Sequence, residues 1–317
     1  MRTDDDLYRQ SSQFRLWSFT RPELDEARRK VNARAVERLR RNSGDAGASI
    51  EFLTPEEELE LVLFYCGKAQ DVAGIYKLSS QIKATAISYL KKFYLRNSTM
   101  DYHPKNVMYT CLFLATKSEN YFISIDNFSA MLPKVTSQDI LELEFTVAQA
   151  LSFTLSVHHP YQPLHGFFLD MQATLPGSVD TVGPAHDAAR KLVSSSLFSD
   201  AALLFTPPQI ALCAMDMVNS DILREYLEKK FVGKNEAMHK ELLRIIDEIK
   251  PYMDNAVRKQ SKDRVTAIDK KLYFCRNPDK LKKRKPEDTP EAADPGDAKR
   301  VKASAGPEDD IFGGPIR

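Results

Sequence analysis

Two charged residues stand where a helical pattern calls for apolar ones. In the run P-K-N-V-M-Y-T-C-L-F-L-A-T-K, Lys117 falls seven after Thr110, four after Phe113 and three after Leu114. At helical spacing it shares the stripe that must face other helices. Glu144 repeats the anomaly in T-S-Q-D-I-L-E-L-E-F-T-V-A-Q-A-L: it lies four after Ile140, three after Leu141, three before Val147, four before Ala148 and seven before Leu151. Burying either charge alone is expensive, so each must be paired, hydrogen-bonded or set at the rim of an apolar surface. Two arrangements satisfy this. One is an ion pair that only fixes helix packing. The other is an ammonium and a carboxylate flanking an apolar groove, where they meet the unsatisfied backbone groups at the end of a partner helix.

No other constellation suggests catalysis. The chain has no Gly-rich phosphate loop, G-x-S-x-G elbow, H-E-x-x-H or C-x-x-C. His158, His159 and His165 lie close together, but no cysteine sits among them and the nearest acid downstream is Asp170, so they read as hydrogen-bonding or surface groups. No metal, cofactor or catalytic residue is expected, and the chain reads as something other than an enzyme.

The elements that must carry Lys117 and Glu144 are helices. Thr20, with Glu23 three residues on and Phe19 placed to staple onto Leu24, starts a charged helix that runs to about Arg41. Thr54-Pro55-Glu56-Glu57 starts another. Five helices are expected between about 54 and 153 from the apolar spacing and the proline stops. The stretch H-H-P-Y-Q-P then separates a second helical set, in which Thr206-Pro207-Pro208-Gln209 is again a capping sequence. Placing Pro207 over Pro104 aligns Ile210 with Val107, Cys213 with Thr110, Ala214 with Cys111, Met217 with Leu114 and Phe205 with Tyr102, a lag of 103 residues. The expected organisation is all-α: an N-terminal segment with a helix (1–53), two related helical domains (54–157 and 158–259), a C-terminal helix (260–275) and a disordered tail (276–317).

Composition bounds the partners. Lys and Arg number 45 against 44 Asp and Glu in 317 residues, which gives no global attraction to nucleic acid or to an anionic membrane. No stretch approaches the roughly 18 apolar residues of a membrane span, and the opening M-R-T-D-D-D-L-Y-R-Q lacks the parts of a secretory signal. An intracellular protein is expected. Cys66, Cys111, Cys213 and Cys275 are far apart and fit reduced core thiols. After Cys275 large apolar residues almost vanish, and two basic clusters, Lys282-Lys283-Arg284-Lys285 and Lys299-Arg300-Val301-Lys302, fit a bipartite nuclear import signal. The expected location is the nucleus.

The run A-I-S-Y-L-K-K-F-Y-L-R-N-S-T-M-D-Y-H-P-K-N-V-M-Y-T-C-L-F-L-A-T-K-S-E resembles the core of the cyclin box. The opening S-S-Q-F-R-L-W-S-F-T, the joint L-S-F-T-L-S-V-H-H-P-Y-Q-P-L-H-G-F-F-L-D-M and the segment L-F-S-D-A-A-L-L-F-T-P-P-Q-I-A-L are similar to the cyclins of the CDK-activating kinase. The resemblance covers most of residues 11 to 275. It implies two tandem five-helix cyclin boxes with extra terminal helices. It also implies a cyclin-dependent kinase partner, a RING-finger assembly subunit, and the TFIIH core through the complex, which phosphorylates the C-terminal domain of RNA polymerase II. Cyclins hold the kinase αC helix with a lysine and a glutamate that fall on Lys117 and Glu144, and Phe153 and Leu155 match positions that add apolar contact. Seating that helix activates the kinase without any catalytic group from the cyclin. The family pattern L-A-C-K-x-E-E stands here as L-A-T-K-S-E-N, so Thr116 and Asn120 depart from it. A partner of the Mediator kinase, like cyclin C, shares the H-P-Y-x-P joint. A nucleic-acid-binding factor like TFIIB also has two such repeats, but the near-neutral charge and the missing C-x-x-C disfavour it.

Overall fold

The computed structural model describes residues 8–43, 50–132, 135–255 and 261–277. Among them the regular structure is helical, without strands. Helix α1 (Ser12–Trp17) starts where the Ser11 hydroxyl accepts from the Phe14 N–H at 3.2 Å; its six residues are too few for a periodic signal, and the sequence reading missed it. Helix α2 (Arg21–Ser43) begins as expected, the Glu23 carboxylate accepting from the Thr20 N–H and hydroxyl, both at 2.8 Å. Phe19 and Leu24 pack in one small cluster with Trp17, Leu95 and Leu203.

The first repeat comprises α3 (Pro55–Ile75), α4 (Ser80–Phe93), α5 (Pro104–Ser118), α6 (Ile125–Ala130) and α7 (Ser137–Ala150). Reciprocal capping boxes at Thr54 with Glu57 and at Thr136 with Asp139 fix where α3 and α7 begin. Helix α5 is apolar nearly all round because it is the central rod, packed on α3, α4 and α7. Met108, Cys111, Leu112 and Ala115 fill its middle.

The second repeat comprises α8 (Tyr161–Thr174), α9 (Val179–Ser196), the single turn α10 (Ala201–Leu204), α11 (Pro207–Val218), α12 (Ser220–Phe231) and α13 (Glu236–Asn255). Its central rod is α11, packed on α8, α9, α12 and α13, so Pro104 and Pro207 open equivalent helices. The joint is shorter than H-H-P-Y-Q-P, because Tyr161, Gln162 and Pro163 already form the first turn of α8, where a proline loses no hydrogen bond.

Helix α14 (Lys262–Arg276), one residue longer at its end than expected, returns to the first repeat. Val265, Ile268, Leu272 and Cys275 complete that core. All four cysteines are free and buried, and burial pushes the Cys66 and Cys213 thiols up to about 12, which leaves them unreactive. The N-terminal helices strap the two repeats together. Arg28 forks onto Asp200 at 2.9 and 2.6 Å, Arg21 adds a third bond at 3.0 Å, and the Phe19 N–H donates to the Leu203 carbonyl at 2.9 Å. Burial alone would raise the Asp200 carboxyl, yet Arg28, Lys91 and Arg21 hold it below its ordinary value. Of the expected tail, Arg276 ends α14 and Asn277 caps it; residues 278–317, with Lys282, Lys283, Arg284, Lys285, Lys299, Arg300 and Lys302, lie outside the described residues.

Candidate functional site

Lys117 lies in the last turn of α5 and Glu144 in the middle of α7, two helices that pack directly on each other. Their side chains form an ion pair, 38% and 23% exposed, and the ammonium also sits over the Phe113 ring, 4.8 Å from its centroid. A pair this open contributes at most about 1 kcal/mol. Each charge meets the other while solvent still reaches both, so the bond can be exchanged for others at little cost.

Apolar surface lies beside the pair. Phe145 and Phe153 are 68% and 61% exposed, with ring centroids 5.9 Å apart, and Leu141 is 45% exposed. The spacing placed Leu141 on the buried stripe with Ile140; only Ile140, Val147 and Leu151 are buried. Phe145 was missed. Its signal was available, since a phenylalanine two residues before the buried Val147 falls on the opposite face of α7. Leu155 differs from Phe153: its side chain packs partly buried against the first core, and its carbonyl accepts from the Tyr89 hydroxyl.

Phe153 is presented by a tight turn. The Phe153 N–H bonds the Ala148 carbonyl at 2.8 Å and the Ser152 N–H bonds that of Gln149 at 2.9 Å, a Schellman ending of α7. Both Ser152 and Phe153 have φ of 54°, a left-handed conformation that costs a residue with a Cβ roughly 1–2 kcal/mol. Helix α5 ends in the same way, with Asn120 at φ 57° and the Tyr121 N–H on the Thr116 carbonyl at 2.8 Å. Asn120 therefore has a local reason: asparagine tolerates the left-handed position better than most residues. Thr116 is buried, its hydroxyl donating to the Phe113 carbonyl at 2.7 Å.

The histidines do other work. His159 is buried, its Nε2 2.8 Å from the Thr85 hydroxyl, which donates to Glu119 at 2.6 Å. Burial, reinforced by Lys92 and His158, pulls its pKa down to about 3. His165 stacks on Phe168 and meets His186 edge-on. Among the described residues no group of His, Cys, Asp and Glu is placed to hold a metal ion, and no helix is long and apolar enough to cross a membrane. The second repeat has no copy of the pair. The 103-residue lag carries Lys117 to Ser220 and Glu144 to Asp247, and Asp247 is held at 2.8 Å by Lys250 of its own helix, which also binds the buried Asp216 at 2.7 Å.

Two helical repeats, each built on a central rod, define an all-helical tandem-repeat protein, and the first repeat carries the opposed Lys117 and Glu144 beside exposed aromatics. Residues 70–156 match the family of the cyclin N-terminal domain and residues 159–254 that of the cyclin C-terminal domain. Cyclin mcs2 of Schizosaccharomyces pombe is 37% identical over 86% of this chain and 86% of its own length. Cyclin CCL1 of Saccharomyces cerevisiae is 42% identical over 73% of this chain, which spans 63% of that relative's length. Among solved structures, a chain of the CAK complex from Chaetomium thermophilum bound to ATP-gamma-S is 30% identical with a TM-score of 0.81, covering 92% of this chain and all of that one. A chain of the yeast TFIIK (Kin28/Ccl1/Tfb3) complex is 39% identical with a TM-score of 0.65, covering 78% and 100%. The chain belongs to the cyclin family. Cyclins are regulatory subunits of protein kinase complexes, and the catalytic groups reside in the kinase.

Proposed function

We propose that this cyclin is the regulatory subunit of the CDK-activating kinase module of TFIIH, where it binds and activates a cyclin-dependent kinase and so supports phosphorylation of the RNA polymerase II C-terminal domain. Likeness to chains of CAK and TFIIK complexes supports the assignment. In this reading the first repeat receives the kinase αC helix. Lys117 and Glu144 give up their mutual bond to serve as donor and acceptor for backbone groups of that helix, while Phe145, Phe153 and Leu141 cover its apolar face. Leu155 supports the turn from inside. The observation that carries the reading is an open ion pair beside a cluster of exposed aromatics, at positions whose counterparts in the second repeat, Ser220 and Asp247, do not carry both charges. A RING-finger subunit completes the assembly, which joins the TFIIH core. The basic clusters of the tail direct import to the nucleus.

The assignment is tested by mass spectrometry of a native pull-down of the tagged full chain. Recovery of a CDK-activating kinase with a RING-finger subunit and TFIIH components is expected. Recovery of Mediator kinase components instead would overturn it.

A further inference from the structure

The turn that presents Phe153 is strained, and the structure shows what holds it. The N-terminal helix α1 packs against this turn and against the joint that follows. The Trp17 indole N–H donates to the Thr154 hydroxyl at 3.1 Å, and that hydroxyl donates onward to the Leu151 carbonyl at 2.6 Å. The Arg96 guanidinium stacks over the Trp17 ring, 4.5 Å from its centroid, and donates to the Ser152 hydroxyl. Gln13 brackets the backbone of His158, its amide nitrogen donating to the carbonyl at 3.1 Å and its amide oxygen accepting from the N–H at 2.7 Å. Trp17 is 1% exposed and Gln13 5%, so the α1 side of these bonds is buried, while Ser152, Thr154 and His158 keep some contact with solvent. Two consecutive left-handed residues with side chains persist only where their surroundings over-determine them.

We infer that α1 is a positioning element for the docking face: Trp17, acting with Arg96 through Thr154 and Ser152, holds the turn that aims Phe153 at the kinase. The inference rests on the docking role proposed above. Trp17 itself is buried and touches no partner; it acts through Phe153. A segment over a hundred residues away in sequence thereby sets the geometry of the first repeat's docking surface, and removing it loosens one side chain rather than the whole grip.

The test uses the full-length chain and two readouts. Hydrogen exchange of the free protein compares wild type with Trp17→Phe, which keeps an aromatic ring but cannot donate to Thr154, and with Thr154→Val, which removes the acceptor. Amides 152–155 are expected to exchange about tenfold faster in both, with α5 and the body of α7 unchanged. Unchanged exchange at 152–155 overturns the inference whatever the kinase does. A double-mutant cycle then measures affinity for the purified kinase subunit: Trp17→Phe is expected to weaken binding about fivefold in the wild-type background and by less than about twofold beside Phe153→Ala. Equal losses in both backgrounds, or a Phe153→Ala variant that binds like wild type, overturn the positioning role. The second result, joined to faster exchange, would show that the docking role of Phe153 is what failed.

Discussion

Phe145 and Phe153 face each other at 5.9 Å between ring centroids while both remain mostly exposed. Two large aromatic side chains in contact with each other and with water have more to gain from a partner than from the fold. Full burial of each is worth about 1.5–3 kcal/mol.

Phe153 also sits at a φ that favours glycine. Phe153→Gly is therefore expected to stabilise the free chain by about 1 kcal/mol while weakening kinase binding about tenfold or more. Urea unfolding and titration calorimetry with the kinase subunit measure the two effects. A variant that loses stability and keeps its affinity would assign Phe153 to the fold instead.

The strap between repeats should carry substantial stability. Asp200 is nearly buried and faces Arg28, Arg21 and Lys91, so Asp200→Ala leaves buried cations without a counter-charge. A loss of about 3–5 kcal/mol is expected, read as a lower urea midpoint. A change below about 0.5 kcal/mol, the range of ordinary surface substitutions, would show that the strap is incidental.

His159 makes stability depend on pH. Its folded pKa is lowered to about 3, so below its ordinary value the unfolded chain binds a proton that the folded chain refuses. Stability is then complete above about pH 6.5 and falls as pH drops, by about 2 kcal/mol at pH 5. His159→Gln, which can still donate to Thr85, should flatten the melting temperature between pH 7 and 5. An unchanged slope would mean that another group sets it.

Lys92 gives a second pH effect with a different window. Its ammonium nitrogen is buried without a hydrogen-bond partner, 5.5 Å from the Trp17 ring centroid, and burial pulls its pKa down to about 7. From about pH 7 up to its ordinary value, the unfolded chain holds a proton that the folded chain has released, so stability rises with pH there. Lys92→Met removes the penalty and should stabilise the protein by up to about 4 kcal/mol at neutral pH, with about half that gain at pH 9. Destabilisation at pH 7 would show that contact with Trp17 outweighs burial.

Much of this architecture was legible because its signals are local. Thr54 with Glu57, Thr136 with Asp139, and the prolines at 104 and 207 mark helix starts by chemistry confined to four residues. Lys117 and Glu144 stood out because a charge in an apolar stripe must be explained. What spacing did not reveal depends on partners distant in sequence. The face of Leu141 is decided by where α5 stops covering α7, and the role of Trp17 by Thr154 and Arg96. The packing of α14 on the first rather than the second repeat follows from contacts with α3. Spacing alone also left open whether Lys117 and Glu144 only bind each other. They do bind each other, in a pair open enough to be exchanged.

Reversing that pair separates the two roles. In the double variant Lys117→Glu with Glu144→Lys the ion pair can re-form, but donor and acceptor trade places with respect to any docked helix. The decisive measurement is the affinity of this variant for the kinase subunit, taken beside its melting temperature. A wild-type melting temperature with binding weakened about 100-fold or more is the predicted result. Wild-type affinity in the swapped variant would show that the pair serves only to pack α5 against α7, and would contradict the grip.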